Sequence, residues 1–397
     1  MTTKFKSFIQ FLIIIISTLT AFLIADGTYF YYSIGIFFFI FFCYLAYLLQ
    51  KINTQMLYEK NAYRFLISDE EMEICIIVVI KNEGETIINT VNHYLSFPKK
   101  VRILLYDDGS TDQTPQKLVK IAQKYPKRLE IRPLKKRDIC VHPKAFALEE
   151  SFNGHDAELF LVIDADTIIS QSDFKKALSA IKNEQLDVLH IARRNNRKDC
   201  LVNHLADREE LMNMVFQLTR LNTHQFSGSG FFVRESVVKG LVYSDGISSE
   251  DTYILEYVKK KSAKIKFFLS LYAKERAPKD YFHLIRQRQN WFNQSAPFYI
   301  KNFFFFITMV HILVSFAVVG LVVPISIGFL FVSVVLSVLL AIEIAVSVKV
   351  LEESITKTIF ETLLMVVNMA FVVWPVYLFV LFKMVFCRFS ISIHKNN

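Results

Sequence analysis

Two uncharged apolar runs stand back to back near the start of the chain, Phe8–Ala25 and Tyr29–Leu49, parted only by Asp26-Gly27-Thr28. Each approaches the roughly 20 residues of helix that a bilayer core of about 30 Å requires. Lys4 and Lys6 precede the first run and Lys51 follows the second, while the connection carries no Lys or Arg. This asymmetry predicts a helical hairpin with both outer ends in the cytoplasm. A cleaved signal peptide is the competing reading of the first run, disfavoured by its length and by the span that follows at once. A second apolar region opens at Phe303-Phe304-Phe305-Phe306, continues to about Val348 and resumes from about Leu363 to Leu381. Its first part fits two spans parting near Gly320–Gly328, and its second part fits one. Ser354–Glu361 reads as a partly interfacial helix or as a misplaced boundary, so two to four C-terminal helices are expected. Glu343 lies inside these runs, and an ionisable group at membrane depth is a functional candidate.

Between the apolar ends the composition changes. The chain of 397 residues is 53% hydrophobic and 21% charged, with a net charge of +9, and most of its acids lie in the middle. No basic face with interleaved aromatics stands out, which argues against nucleic acid as a partner. The basic residues are scattered or flank apolar runs, as on a cytoplasmic membrane face. Cys43, Cys75, Cys140, Cys200 and Cys387 are odd in number and form no CxxC pair. A disulfide framework and a zinc site are therefore not expected.

From about Asp69 to Asp280, short β-branched runs alternate with mixed polar stretches. Cys75–Ile80, Val101–Tyr106, Leu129–Arg132, Leu159–Ile163 and Val188–Arg193 read as strands. Helices are predicted from Glu85, from Thr111 or Asp112 to about Tyr125, and over Lys144–Ser151. Such alternation predicts a mostly parallel α/β sheet, whose ligands bind beyond the carboxyl ends of the strands. Both acidic clusters of this region fall at such ends.

Each cluster has a functional and a structural reading. Asp164-Ala165-Asp166 follows the apolar run Leu159–Ile163. Carboxylates two apart suit a hard divalent cation that completes its shell with phosphate and water oxygens, and they equally suit a turn. Asp107-Asp108-Gly109-Ser110 either offers a carboxylate to a uracil N–H or forms a strand-to-helix turn with Asp108 or Ser110 as cap. Lys144 stands at a helix start where an anionic phosphate is welcome, or is simply solvated. Phe226–Phe232, with Gly228 and Gly230, lets backbone approach a sugar, or is a flexible turn. Ser249-Glu250-Asp251 supplies a general base, or a capped helix N-terminus with acids favoured by the dipole; both can hold together.

The ordered series of Asp107-Asp108-Gly109-Ser110, Lys144-Ala145, Asp164-Ala165-Asp166, Ser227-Gly-Ser-Gly230, Ser249-Glu250-Asp251 and Gln287-Arg-Gln-Asn-Trp291 resembles the family 2 glycosyltransferases. It is most similar to their membrane-embedded branch of cellulose, hyaluronan and poly-N-acetylglucosamine synthases, over about residues 72–295. The resemblance implies an α/β GT-A domain with its nucleotide-sugar site at strand C-termini, set between transmembrane helices. The expected boundaries are 1–52 for the hairpin, 53–281 for the cytosolic catalytic domain, 282–302 for an amphipathic interface helix and 303–397 for the C-terminal membrane region.

The resemblance also implies roles. Asp107 and Asp108 would hold the uracil of a UDP-sugar, with Asn82 and Glu83 in the first nucleotide-binding loop. Lys144 would contact the diphosphate, and Asp164 and Asp166 would bind the donor with Mg²⁺ or Mn²⁺. Asp251 would be the catalytic base with Glu250 beside it. Ser229 and Gly230 would lie near the acceptor, and Gln287 and Trp291 would match the QxxRW motif. Two departures stand out. The first loop reads Ile80-Lys81-Asn82-Glu83, without the Pro and aromatic the family often has, and Asn290 occupies the Arg position of QxxRW. Arg286 or Arg288, within one helical turn, would then supply the missing cation. The expected activity is inverting transfer of a sugar from a UDP-sugar to a growing polysaccharide by an integral protein of the cell membrane. The alternatives are transfer of one sugar to a lipid or lipid-linked acceptor, and a non-enzymatic transporter or scaffold with a degenerate nucleotide-binding domain.

Overall fold

The computed structural model describes residues 47, 50–65, 72–134, 143–196, 200, 202–207, 209–210, 228–243 and 249–301, with 292–301 as backbone. Apart from Tyr47, the predicted membrane spans lie outside these residues, as do Glu343, Phe226 and Ser227. Among the described residues no helix is long and apolar enough to cross a membrane. The chain divides into two units, residues 51–284 and residues 1–50 with 285–397.

In residues 51–284 the elements follow the order β1 (Ile74–Ile80), α1 (Gly84–Leu95), β2 (Val101–Asp107), α2 (Thr114–Lys124), β3 (Leu129–Pro133), α3 (Pro143–Gly154) and β4 (Leu159–Asp164). There follow β5 (Ile168–Ile169), α4 (Gln171–Asn183), β6 (Val188–Asn196), β7 (Phe231–Arg234), α5 (Glu235–Val238), α6 (Glu250–Lys260) and β8 (Ile265–Arg276). The helix α7 (Tyr281–Lys301) begins in this unit. A further helix over 51–62 precedes β1.

All eight strands join one sheet in the order β3-β2-β1-β4-β7-β6-β8-β5. The pairs β1–β2, β1–β4, β2–β3 and β6–β8 are parallel. Strand β7 runs antiparallel between β4 and β6, and β5 antiparallel to β8, so the sheet is mixed. The apolar strands of the parallel half are buried on both faces. Ile74, Ile76, Val78 and Ile80 pack to one side with α1 residues Ile87 and Val91. Cys75 and Ile77 pack to the other with Leu148 and Phe152 of α3. The period-two alternation of β1 thus serves two helical layers, giving an α/β/α sandwich.

Helix α3 and strand β6 run three residues past their expected ends, and the start of α2 also differs from expectation. Helix α2 begins at Thr114, not at Thr111 or Asp112, because the backbone N–H groups of Thr111 and Asp112 donate to the Asn82 side chain at 2.7 and 3.3 Å. Neither Asp108 nor Ser110 caps this helix. Asp112 accepts from Thr114 N at 3.0 Å instead.

Candidate active site

Parallel register brings the two acidic clusters to one edge of the sheet. Ile80 at the end of β1 lies opposite Asp107 of β2, and its neighbour Val79 opposite Asp164 of β4. This is the carboxyl edge, where open α/β sheets bind ligands.

The first loop is stitched to the Asp107 turn by side chains. Asp107 Oδ1 accepts from Ser110 N at 2.9 Å and from Ser110 Oγ at 2.6 Å. Its Oδ2 has no hydrogen-bond partner among the described residues, so one oxygen remains for a base N–H. Asn82 takes a left-handed φ of 55°, a conformation that Asn tolerates better than most residues. Its N–H donates to Ser110 Oγ at 2.9 Å. Asp108 pairs instead with Lys81 at 3.0 Å.

Around the second cluster, Lys144 of α3 is 8% exposed, which excludes the solvated reading. Its Nζ donates to Asp164 Oδ1 and to the Gly228 carbonyl, each at 2.5 Å. Gly228 N donates to Asp251 Oδ2 at 2.9 Å. A β-carbon at Gly228, where φ is +27°, would stand 3.7 Å from Lys144 Nζ, Glu250 Oε1 and Asp251 Oδ2 alike. Gly228 is therefore the point where α3, β4 and the start of α6 converge, and the backbone reaches it because no side chain intervenes. Burial works against the Lys144 charge, yet Asp164, Glu250 and Asp251 outweigh it and hold its pKa above the ordinary lysine value.

Ser249 fills the capping role expected of it. Its hydroxyl accepts from Thr252 N as the cap of α6 and also donates to Asp251 Oδ1. Asp251 Oδ1 further accepts from Thr252 N at 2.7 Å. Ser229 is fully buried; its Oγ accepts from Asp164 N at 3.0 Å and pairs with Thr167 Oγ1 at 2.9 Å. It braces the acidic turn. Gly230, with φ of 78°, lies under Ala273, whose Cβ would stand 3.4 Å from an added β-carbon. That too is a packing position and not an open acceptor surface.

Asp166 Oδ2 accepts from Arg276 N at 3.2 Å. Burial and then Asp164 push the Asp166 carboxyl above its usual range. Glu83 is raised likewise, by burial and by Asp166, with Arg276 opposing. Among the described residues no group of three His, Cys, Asp or Glu side chains is placed to cage a metal ion. The donor set is instead two neighbouring carboxylates that repel one another. That fits a divalent cation which takes most of its ligands from phosphate and water.

Several charged residues here were not singled out from the sequence. The Arg276 side chain donates to Thr86 Oγ1 and lies 3.8 Å from Glu83 Oε2, beside the first loop. Arg193 pairs with Glu210 at 3.3 Å and Glu275 at 3.4 Å. Burial raises the Glu275 carboxyl against the attraction of Arg193. Arg194 grips Asp207 with two bonds of 2.9 and 2.6 Å. The doublets Arg193-Arg194, just after the apolar run of β6, and Glu275-Arg276, at the end of β8, were the available signal.

Arg286, Gln287, Arg288 and Trp291 lie on α7 in the unit formed by residues 1–50 and 285–397. Within the helix, the Arg288 guanidinium lies 4.2 Å from the Trp291 ring centroid, and its Nη1 donates to Gln287 Oε1 at 2.9 Å.

Residues 159–386 match the model of glycosyl transferase family group 2, and residues 75–241 match that of glycosyl transferase family 2. A dodecaprenyl-phosphate galacturonate synthase of Rhizobium johnstonii is 24% identical over 174 residues, which are 43% of this chain and 50% of that protein. The chain thus spans about half the length of that curated relative. Among solved structures, the mannosyltransferase PcManGT of Pyrobaculum calidifontis, in complex with GDP-Man and Mn²⁺, superposes with a TM-score of 0.50 at 15% identity. The superposition covers 82% of this chain and 98% of that one.

Proposed function

The chain belongs to glycosyl transferase family group 2, and we propose that it is a membrane-bound inverting enzyme that transfers a sugar from a UDP-sugar to a hydroxyl of a growing polysaccharide. The observation that carries this reading is the convergence of Lys144, Asp164, Glu250 and Asp251 on Gly228, at the sheet edge that also holds Asp107 and Asp166. The free Oδ2 of Asp107 suits the imide N–H of uracil, and Lys144 offers a buried positive charge to the diphosphate. Mg²⁺ or Mn²⁺ held by Asp164 and Asp166 would neutralise the departing nucleotide.

Direct displacement needs one base and no enzyme nucleophile. Gly228 N and Thr252 N fix the Asp251 carboxylate from both sides, so it accepts the acceptor's proton without first reorienting. Glu250 adds a second negative charge beside it. Arg276 lies between Asp166, which accepts from its backbone N–H, and Glu83.

A second reading has a lipid phosphate as acceptor. Its support is the relative named for dodecaprenyl-phosphate, together with Asn290 at the Arg position of QxxRW. A phosphate acceptor brings its own negative charge and needs no base, and Glu250 and Asp251 would repel it. The hydroxyl acceptor therefore fits the site better. The apolar ends would anchor the enzyme in the cell membrane with the catalytic domain in the cytoplasm and would line an exit for the glycan. The test is to incubate purified full chain with single labelled UDP-sugars, from glucose, N-acetylglucosamine, glucuronate and galactose, and to size the product. A polymer is expected; one sugar per solvent-extractable lipid would replace this reading with the second.

A further inference from the structure

The sequence assigned the stretch just before β1 no task, yet it holds a glutamate that is fully buried. Ile52, Glu59 and Ala62 are at most 1% exposed and lie on one face of the helix over 51–62. An apolar stripe interrupted by a carboxylate is costly unless every lone pair finds a donor. Glu59 meets that condition. Its Oε1 accepts from Gln55 Nε2 at 2.7 Å and Leu269 N at 2.8 Å. Its Oε2 accepts from Ser270 N at 2.8 Å and Ser270 Oγ at 2.5 Å.

The donors identify the task. Strand β8 pairs with β6 from Ile191 opposite Phe268 directly to Ala192 opposite Tyr272, so Leu269, Ser270 and Leu271 have no opposite number. At this bulge the N–H groups of Leu269 and Ser270 turn to Glu59. Gln55 Nε2 also reaches the Phe267 carbonyl at 2.8 Å, and the Tyr63 hydroxyl meets Ser270 Oγ at 3.2 Å. Bulges next to active sites re-aim the strand beyond them. Beyond this one come Ala273 against Gly230, Glu275 on Arg193, and Arg276, whose N–H holds Asp166 and whose guanidinium stands beside Glu83.

We infer that Glu59 is a positioning residue for the nucleotide-sugar site: by replacing the missing strand partner at the β8 bulge, it fixes the offset at which Tyr272–Arg276 delivers the Arg276 N–H to Asp166. The helix over 51–62 is on this account part of the catalytic fold and not a spacer. The consequence for the metal rests on the proposed function; the consequence for β8 does not.

Glu59→Gln separates this role from simple anchoring, since the amide sets N–H groups against the N–H donors it should accept. Hydrogen exchange is followed by mass spectrometry in the full chain without ligand, and binding of Mn²⁺ alone by the electron paramagnetic resonance of the free ion. The variant is expected to speed exchange over 272–276 as well as 269–271, and to weaken Mn²⁺ binding about tenfold, as changes behind metal ligands do. A lowered Tm with exchange over 272–276 unchanged would overturn the inference and leave Glu59 as an anchor only. Should that variant fail to fold, Ser270→Ala removes one donor and keeps both backbone bonds. A smaller acceleration over 272–276 supports the inference, and none overturns it. A wild-type chain that does not bind Mn²⁺ would sink the metal reading while the exchange result still decides the role of Glu59.

Discussion

At Lys144 the opposing forces can be followed atom by atom. Burial strips water from the ammonium, which alone would lower its pKa, yet three carboxylates and the Gly228 carbonyl surround it and the charge is held. On the proposed function, a lysine so placed would face an incoming diphosphate already desolvated and oriented, which is the condition under which a charge contributes most to a transition state. Asp251 is held just as firmly, from Gly228 N on one oxygen and Thr252 N on the other. Asp251→Asn keeps the shape and removes the proton acceptor. Transfer should fall by about 10²- to 10⁴-fold, while UDP-sugar affinity measured by calorimetry stays near wild type; retained turnover would remove Asp251 from the base role. Lys144, Asp164 and Asp251 drew attention in the sequence because each stands beside strong punctuation, a proline, an apolar strand or a helix cap, and the structure brings them together around Gly228. For Ser229 and Gly230, a glycine-rich turn does not reveal whether it faces solvent or the buried side of the acidic loop, and the structure buries both. Arg276 was missed because an arginine ending a strand looks like any solvated charge.

Among the elements, the first loop illustrates a boundary set from a distance. Asn82 takes the N–H of Thr111 at 2.7 Å and that of Asp112 at 3.3 Å, and so delays the start of α2. No local reading of Thr111-Asp112 could find a partner on the preceding β–α loop. Its φ of 55° adds a second demand. Asn82→Ala loses the acceptor and keeps the unfavourable backbone; Asn82→Gly loses the acceptor and relieves the backbone. Urea denaturation should give a loss of about 1–2 kcal/mol for alanine, in the range of lost caps, and a smaller loss for glycine. Equal losses would contradict this account of the loop. Strands β1, β2, β4 and β6 were legible as mainly apolar runs, and β3 as the alternation Leu129-Glu130-Ile131-Arg132. Strand β7 was not, since Phe231–Arg234 is short and follows two glycines, and only its antiparallel insertion between β4 and β6 gives it a role.

Over the whole molecule, the α/β architecture followed from alternation alone, because strands buried on both faces leave a plain apolar signature. The mixed character of the sheet did not, since direction is set by which strands meet and not by their composition. The catalytic unit places the acids of three separate strand ends and one helix start along one edge, and this convergence across about 170 residues, from Asn82 to Asp251, is what a sequence can only suggest by order. On the proposed function, this edge binds a nucleotide sugar through a divalent cation on Asp164 and Asp166. The most direct measurement is release of UDP from UDP-sugars by the purified full chain, with Mn²⁺ or Mg²⁺ titrated from zero, in wild type and Asp166→Asn. Release should depend on the cation and be lost in the variant; release that is equal with and without the cation, or unchanged by Asp166→Asn, would rule out a metal-held nucleotide sugar at this edge.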